Sequence, residues 1–232
     1  MSGVPVPGSA RPSSSAERTR GALTAIDVLL EPDARMLARA AEINARLLTS
    51  IPSPQGFALD AKHHPHVTTL QRYVRSAELD EVHAAIGAVR DTVDLARLSF
   101  TAHALTHVVL RPSIGIGVIV LAPGEEVLEL QRRLIDAVEP FVEAGGTADA
   151  FVRTEAEPDI NDETIRFIEE YVPGHSGVNY VAHVTVGLAT LDDLASFEAE
   201  PFEQLSFSAQ ALSVYQLGDN GAAARRLRTW PR

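Results

Sequence analysis

The order strand, helix, strand, helix, strand runs twice through this sequence, and few architectures accept it. Ala25 to Leu30 (AIDVLL) is an apolar run of strand type. Pro32 then stands at the first position of a helix whose Met36, Leu37, Ala40, Ile43, Leu47 and Leu48 share one face, and which stops near Ile51-Pro52. A strand over 65–73 follows. Ser76 is placed to cap a helix with the stripe Leu79, Val82, Ile86 and Val89, and a strand over 95–105 closes the first half. The second half opens on an apolar strand at 114–121 and continues with a helix at 125–142, ended by Gly145-Gly146. An additional helix at 162–171 is capped by Asn161, a strand covers 181–187, and Thr190 with Asp193 forms the capping box of a short helix. Strands at 205–217 and 222–230 finish the chain, with Gly218 and Gly221 in the hairpin turn between them. The halves share this order but not their residues. The pattern predicts an α+β protein of two similar lobes, formed mainly by 23–112 and 113–232, within one bilobal domain.

At 232 residues and 45% hydrophobic content the chain can bury a sizeable core. It has no cysteine, which excludes disulfides, thiolate catalysis, Cys-ligated zinc and iron–sulfur clusters. No run reaches the roughly 18 to 20 apolar residues of a membrane span. The formal charge of −11 argues against long duplex nucleic acid as a partner, while leaving room for a small anionic ligand in a local site. Residues 1–22 are rich in Ser, Pro and Gly and lack the apolar stretch of a secretory signal, so they read as a disordered leader on a cytoplasmic, monomeric protein.

Eight histidines are present, and two have threonine two positions on: His66-Val67-Thr68-Thr69 and His183-Val184-Thr185-Val186. Each lies in the second main strand of its half. In a strand, residues i and i+2 point to one face, about 6 to 7 Å apart, so each imidazole has a hydroxyl beside it. If the lobes pack about a pseudo-twofold axis, the two imidazoles face each other across a cleft. A phosphodiester suits that arrangement. One neutral histidine takes a proton from the attacking oxygen, and the other, protonated, gives one to the leaving oxygen. Thr68 and Thr185 donate to non-bridging oxygens as charge grows there. Two groups titrating near neutrality supply both protonation states, so no metal or other cofactor is required.

This doubled His-apolar-Thr pattern resembles the signature of the two-histidine (2H) phosphoesterases, and within them the bacterial 2′-5′ RNA ligase-like proteins. The segments AIDVLL, GFALD ahead of HHPHVTTLQRYV, and VYQLGDNGAA are similar to that group as well, so the likeness covers about 23–230. It implies a bilobal fold with an antiparallel sheet in each lobe and helices outside. It also implies action on 2′,3′-cyclic or 2′-5′ phosphodiester bonds, with His66 and His183 catalytic and Thr68 and Thr185 on the phosphate. Thr69 departs from the motif, which usually has an apolar residue there. For hydrolysis of a cyclic phosphate the expectation leans to His183 as base and His66 as acid.

Other residues are candidates for the same cleft. Phe57 and Tyr180, each just ahead of a motif strand, are placed to stack on a base. Arg72 continues the His66 face if the strand is regular, and would then reach a phosphate. His63, His64, His66 and His183 are a conceivable all-histidine metal set, but adjacent His63 and His64 cannot both face the cleft from a strand. Arg225, Arg226 and Arg228 form a local basic run. The expected ligand is a nucleotide or short RNA end bearing a cyclic phosphate. Ligation, the reverse reaction, and a non-catalytic nucleotide-binding module are the alternatives. The segment 146–180 holds its own helix and is positioned to act as a lid.

Overall fold

The computed structural model describes residues 21–52, 55–60, 63–155 and 158–232. The leader assigned to 1–22 lies outside that range except for its last two residues. In chain order the main elements are β1 (Leu23–Pro32), α1 (Ala34–Ser50), β2 (Val67–Arg75), α2 (Leu79–Arg90), β3 (Ser99–Arg111), β4 (Ile114–Pro123), α3 (Glu125–Val138), α4 (Asp162–His175), β5 (His183–Thr190), α5 (Leu191–Glu198), β6 (Leu205–Leu217) and β7 (Ala223–Pro231). Among the described residues no helix is long and apolar enough to cross a membrane.

All strand pairing is antiparallel, in the order β2-β1-β6-β3-β4-β5, with β7 also on β6. The long strand β6 belongs to two sheets. Its residues Leu205–Ser208 pair with β3, and Ala209–Gln216 pair with β1. One sheet is therefore β2-β1-β6-β7 and the other β5-β4-β3-β6. The two sheets are not the two halves of the chain: β3 joins β4 and β5, while β6 and β7 join β1 and β2. Helices cross over as well. α1 packs on β5, and α3 packs on α2 and β2. The boundary expected at 112/113 is a tight β3–β4 hairpin inside one sheet. Amphipathic periodicity shows that a helix has a buried face, but not which sheet that face meets.

Local signals explain the element ends. Asp33 caps α1 by accepting from the Arg35 and Met36 amides at 3.1 and 3.2 Å, so Pro32 ends the strand instead of starting the helix. Ser76 opens a short 3₁₀ turn and bonds Thr24 at 2.7 Å instead of capping α2. Asn161 caps α4 at the Thr164 amide (2.7 Å), and Thr190 caps α5 at the Asp193 amide (3.2 Å). Ile26, Val28, Leu30, Leu70, Val74, Leu212 and Val214 turn one face of the first sheet into the main core, which continues through Ile119, Leu121, Val184 and Val186 of the second.

The other face of the first sheet is partly covered by the segment after α3. Ala25, Tyr73 and Leu217 meet Ala150, Phe151, Ile160 and Ile168 in a small separate core. Tyr73 places its ring edge on Phe151, 5.9 Å between centroids, and its hydroxyl donates to the Ile165 carbonyl at 2.9 Å. Val152 N–H donates to the Leu217 carbonyl, and the Gln216 amide donates to the Ala150 carbonyl, both at 2.8 Å. These are the contacts of a wall built onto the sheet. Gly146 lies flat on the Tyr73 ring, where a Cβ would come within 2.3 Å. Gly146→Ala should therefore lower stability by about 1–3 kcal/mol in urea unfolding, with amide exchange accelerated through α4 ahead of the main core.

Candidate active site

His66 immediately precedes β2 and His183 begins β5, the two outer strands of the arrangement, and these strands meet. Tyr180 joins them by donating its hydroxyl to the Thr68 carbonyl at 2.8 Å. Both imidazoles are held the same way. The Nδ1 of His66 lies 2.7 Å from the His64 carbonyl, and the Nδ1 of His183 lies 2.9 Å from the Val181 carbonyl, each two residues back. A carbonyl only accepts, so Nδ1 carries the proton in both rings and each Nε2 is left as the reactive pole. The His183 pKa is lowered, first by loss of solvation of the cation, with the hydrogen bond to the Val181 carbonyl the next-largest effect and opposing it, and His66 and His175 adding smaller lowering effects.

Both motif strands bulge at the residue after the threonine. Leu29 pairs with Thr68 but Val28 with Leu70, which leaves Thr69 out of the ladder. Val118 pairs with Thr185 but Gly117 with Gly187, which leaves Val186 out. Gly187 follows with φ +143°, a conformation that favours glycine. One extra residue reverses the alternation of faces. Arg72 therefore does not continue the His66 face. It points to the helix side and pairs with Glu139 at 3.6 Å, its side chain 14% exposed. Gln71 takes the place predicted for it.

Gln71 finds Asp27 there. Asp27 is wholly buried, and its Oδ2 accepts from the Thr68 hydroxyl at 2.9 Å and the Gln71 amide at 3.0 Å, with the His66 Nε2 at 3.7 Å. Its Oδ1 has no protein donor among the described residues. Burial raises the Asp27 pKa, opposed by the charge of His66 and the two hydrogen bonds. The two histidines are thus unequal: a buried carboxyl group lies beside His66, whereas the side chains that act on the charge of His183 are the imidazoles of His66 and His175. The threonines are unequal too. The Thr68 hydroxyl is committed to Asp27, while the half-buried Thr185 hydroxyl has no protein partner among the described residues.

The remaining candidates are placed as follows. Phe57 stacks on His63, 4.4 Å between centroids and 14° between planes, so that face of its ring is occupied. Tyr180 is a strut between motif strands, and burial raises its pKa, with the charge of Asp27 adding to the effect. His63 approaches Asp60 and His64 approaches Glu31, so the His63–His66 run diverges instead of converging on one point. Arg226 lies against the Tyr215 hydroxyl at 2.7 Å and Glu31 at 3.4 Å, and Arg225 bonds Gln216. Sequence reasoning missed Asp27, whose signal was one acid inside an otherwise apolar strand, and it missed Gln71.

Among solved structures, that of TT0787 from Thermus thermophilus matches 90% of this chain and 97% of that one at 15% identity, with a TM-score of 0.53. The two share a fold, α+β with antiparallel strands and helices outside. A phosphoesterase (16% identity, 90% and 97% of the chains, TM-score 0.44) and E. coli LigT complexed with 3′-AMP (13% identity, 90% and 98%, TM-score 0.44) are also similar. No family model matches the sequence, and no curated protein matches it.

The buried carboxyl gives a stability test with a definite sign. Its pKa is higher in the folded state than the unperturbed 3.8, so the folded protein holds that proton more tightly than the unfolded chain. Stability from this group is present at low pH and is lost as pH rises from that value through the folded pKa. Asp27→Asn should gain on the wild type progressively over that range and then hold a constant difference, read as the gap between urea midpoints across pH.

Proposed function

We propose that this chain is a two-histidine phosphodiesterase, acting on 2′,3′-cyclic or 2′-5′ phosphodiester bonds of nucleotides or short RNA ends without a metal. The observation that carries the reading is the pair of imidazoles held in the same Nδ1–H tautomer, only one of them with a buried carboxyl group 3.7 Å from its Nε2. A general base must be neutral and a general acid protonated at the same pH. His183, with its lowered pKa, suits the base. His66, beside the Asp27 carboxyl group, suits the acid. In hydrolysis of a cyclic phosphate, His183 Nε2 takes a proton from water as its oxygen bonds to phosphorus. The bond from phosphorus to one ribose oxygen breaks, and that oxygen receives the proton from His66 Nε2. The Thr185 hydroxyl, without a partner among the described residues, is the donor available for a non-bridging oxygen, and Thr68 acts through Asp27 to orient the His66 side. The formal charge of −11 favours a small substrate over long RNA.

The test is hydrolysis of nucleoside 2′,3′-cyclic monophosphates in EDTA, with identification of the product isomer. His66→Ala and His183→Ala should each lower kcat by about 10² to 10⁴-fold. Failure of the wild type to turn over any cyclic or 2′-5′ substrate, with nucleotide binding retained, would replace the enzyme by a binding module. The pH profile carries the assignment of roles. The acidic limb of kcat/KM should lie below the usual histidine value of 6.5, because it reports the depressed His183. Asp27→Asn, which removes the carboxyl group 3.7 Å from the His66 Nε2, should move the basic limb and leave the acidic limb in place. Movement of the acidic limb instead would exchange the two roles.

A further inference from the structure

Each bulge leaves a buried carbonyl outside the ladder, and each is met by one buried amide side chain. Asn44 on α1 donates from Nδ2 to the Val186 carbonyl at 2.8 Å, and Gln131 on α3 donates from Nε2 to the Thr69 carbonyl at 3.1 Å. These amides are 5% and 1% exposed. Their other contacts are what draws attention. Asn44 also donates to the Phe57 carbonyl at 2.9 Å and accepts from the Leu59 amide at 3.2 Å, in the segment that leads into His64 and His66. Gln131 accepts from the Gly177 amide at 3.0 Å, in the segment that leads into Val181 and His183. Every bond is donor to acceptor, which fixes the orientation of both amides.

The connections are crossed. Asn44 ties the bulge of the second motif to the approach of the first, and Gln131 ties the bulge of the first motif to the approach of the second. Bulge and approach are the two places that set an imidazole: the bulge follows the motif threonine, and the approach carries the carbonyl that orients Nδ1. Filling a gap in the core would need only apolar volume, and satisfying one orphan carbonyl would need only one bond. Neither requirement explains two amides, at unrelated places in the sequence, that each span the same pair of features in opposite sense.

We propose that Asn44 and Gln131 are a crossed pair of positioning residues that fix the two imidazoles relative to one another, Gln131 governing the approach to His183 and Asn44 the approach to His66. The proposal rests on the acid–base reading of these histidines, and it has a readout independent of turnover. Ring ¹⁵N spectra of the full-length protein report the tautomer and titration of each imidazole, assigned with the His66→Ala and His183→Ala variants.

Gln131→Met keeps length and apolar volume but removes both bonds. Its His183 ring should change from a single Nδ1–H tautomer to a mixture, with His66 altered less, and Asn44→Leu should do the reverse. Per folded molecule, either change should lower kcat by about 10²-fold with KM moved less than two-fold, as expected when reacting groups are misplaced by a fraction of an ångström to one ångström. Gln131→Glu provides the rescue. Its protonated carboxyl donates to Thr69 and accepts from Gly177 as the amide does, so its kcat relative to wild type should recover as pH falls and drop as the carboxyl ionises. It also serves if the methionine variant does not fold. Variants that lose thermal stability but keep single-tautomer rings, and keep kcat per folded molecule wherever turnover exists, would reduce the amides to packing and overturn the proposal. If the wild type has no turnover, the acid–base reading fails while the ring spectra still decide for or against the brace.

Discussion

The ladder of β6 governs the rest of the architecture. The thirteen-residue strand pairs first with β3 and then with β1, so one continuous strand carries both sheets and fixes the angle between them. The motif strands lie at the far ends of that arrangement, three strands or fewer from the shared one. Their separation therefore follows from sheet geometry and not from a flexible linker. Helix packing reinforces it, because α1 reaches from the first half onto β5 and α3 from the second half onto β2.

On this frame the proposed chemistry draws on a difference between the two histidine sites. Two histidines in identical settings would have no preference for which acts as acid and which as base. The frame gives both the same backbone-fixed tautomer and then differentiates them by what lies beneath. A carboxyl group withheld from water sits beside His66, and other imidazoles press on His183. The cost falls on Asp27, a buried acid with one oxygen that finds no donor among the described residues, and an orphaned buried group is a recognised sign that stability has yielded to function.

Much of this was legible in the residues. The limits of β6, the caps at Asn161 and Thr190, and the paired His-x-Thr strands all follow from local chemistry: alternation, hydroxyl and amide capping, and the two-residue period of a strand. What was not legible has specific causes. A bulge adds one residue without a compositional mark, so Arg72 was assigned a face that Gln71 holds. Helix stripes at Met36–Leu47 and Val127–Val138 show burial but not destination, so the crossing of α1 and α3 stayed hidden, and with it Asn44 and Gln131. Asp27 was visible as the single acid in AIDVLL, but its meaning depended on Thr68 and Gln71 being brought beside it by a register the sequence does not print.

The interleaving of the sheets also has a consequence for how the chain comes to be folded. β1 is made early, but the strand that pairs along its second edge, β6, is more than 170 residues further along. During synthesis that apolar edge has no native partner, and such edges are templates for association between chains. Neither half holds a complete sheet, so both sheets close only after β6 is made, and this long-range pairing should make folding slow for a chain of this length. In that interval a charged Asp27 in the middle of β1 opposes pairing with another copy, a protection that ends once the native partners bury it.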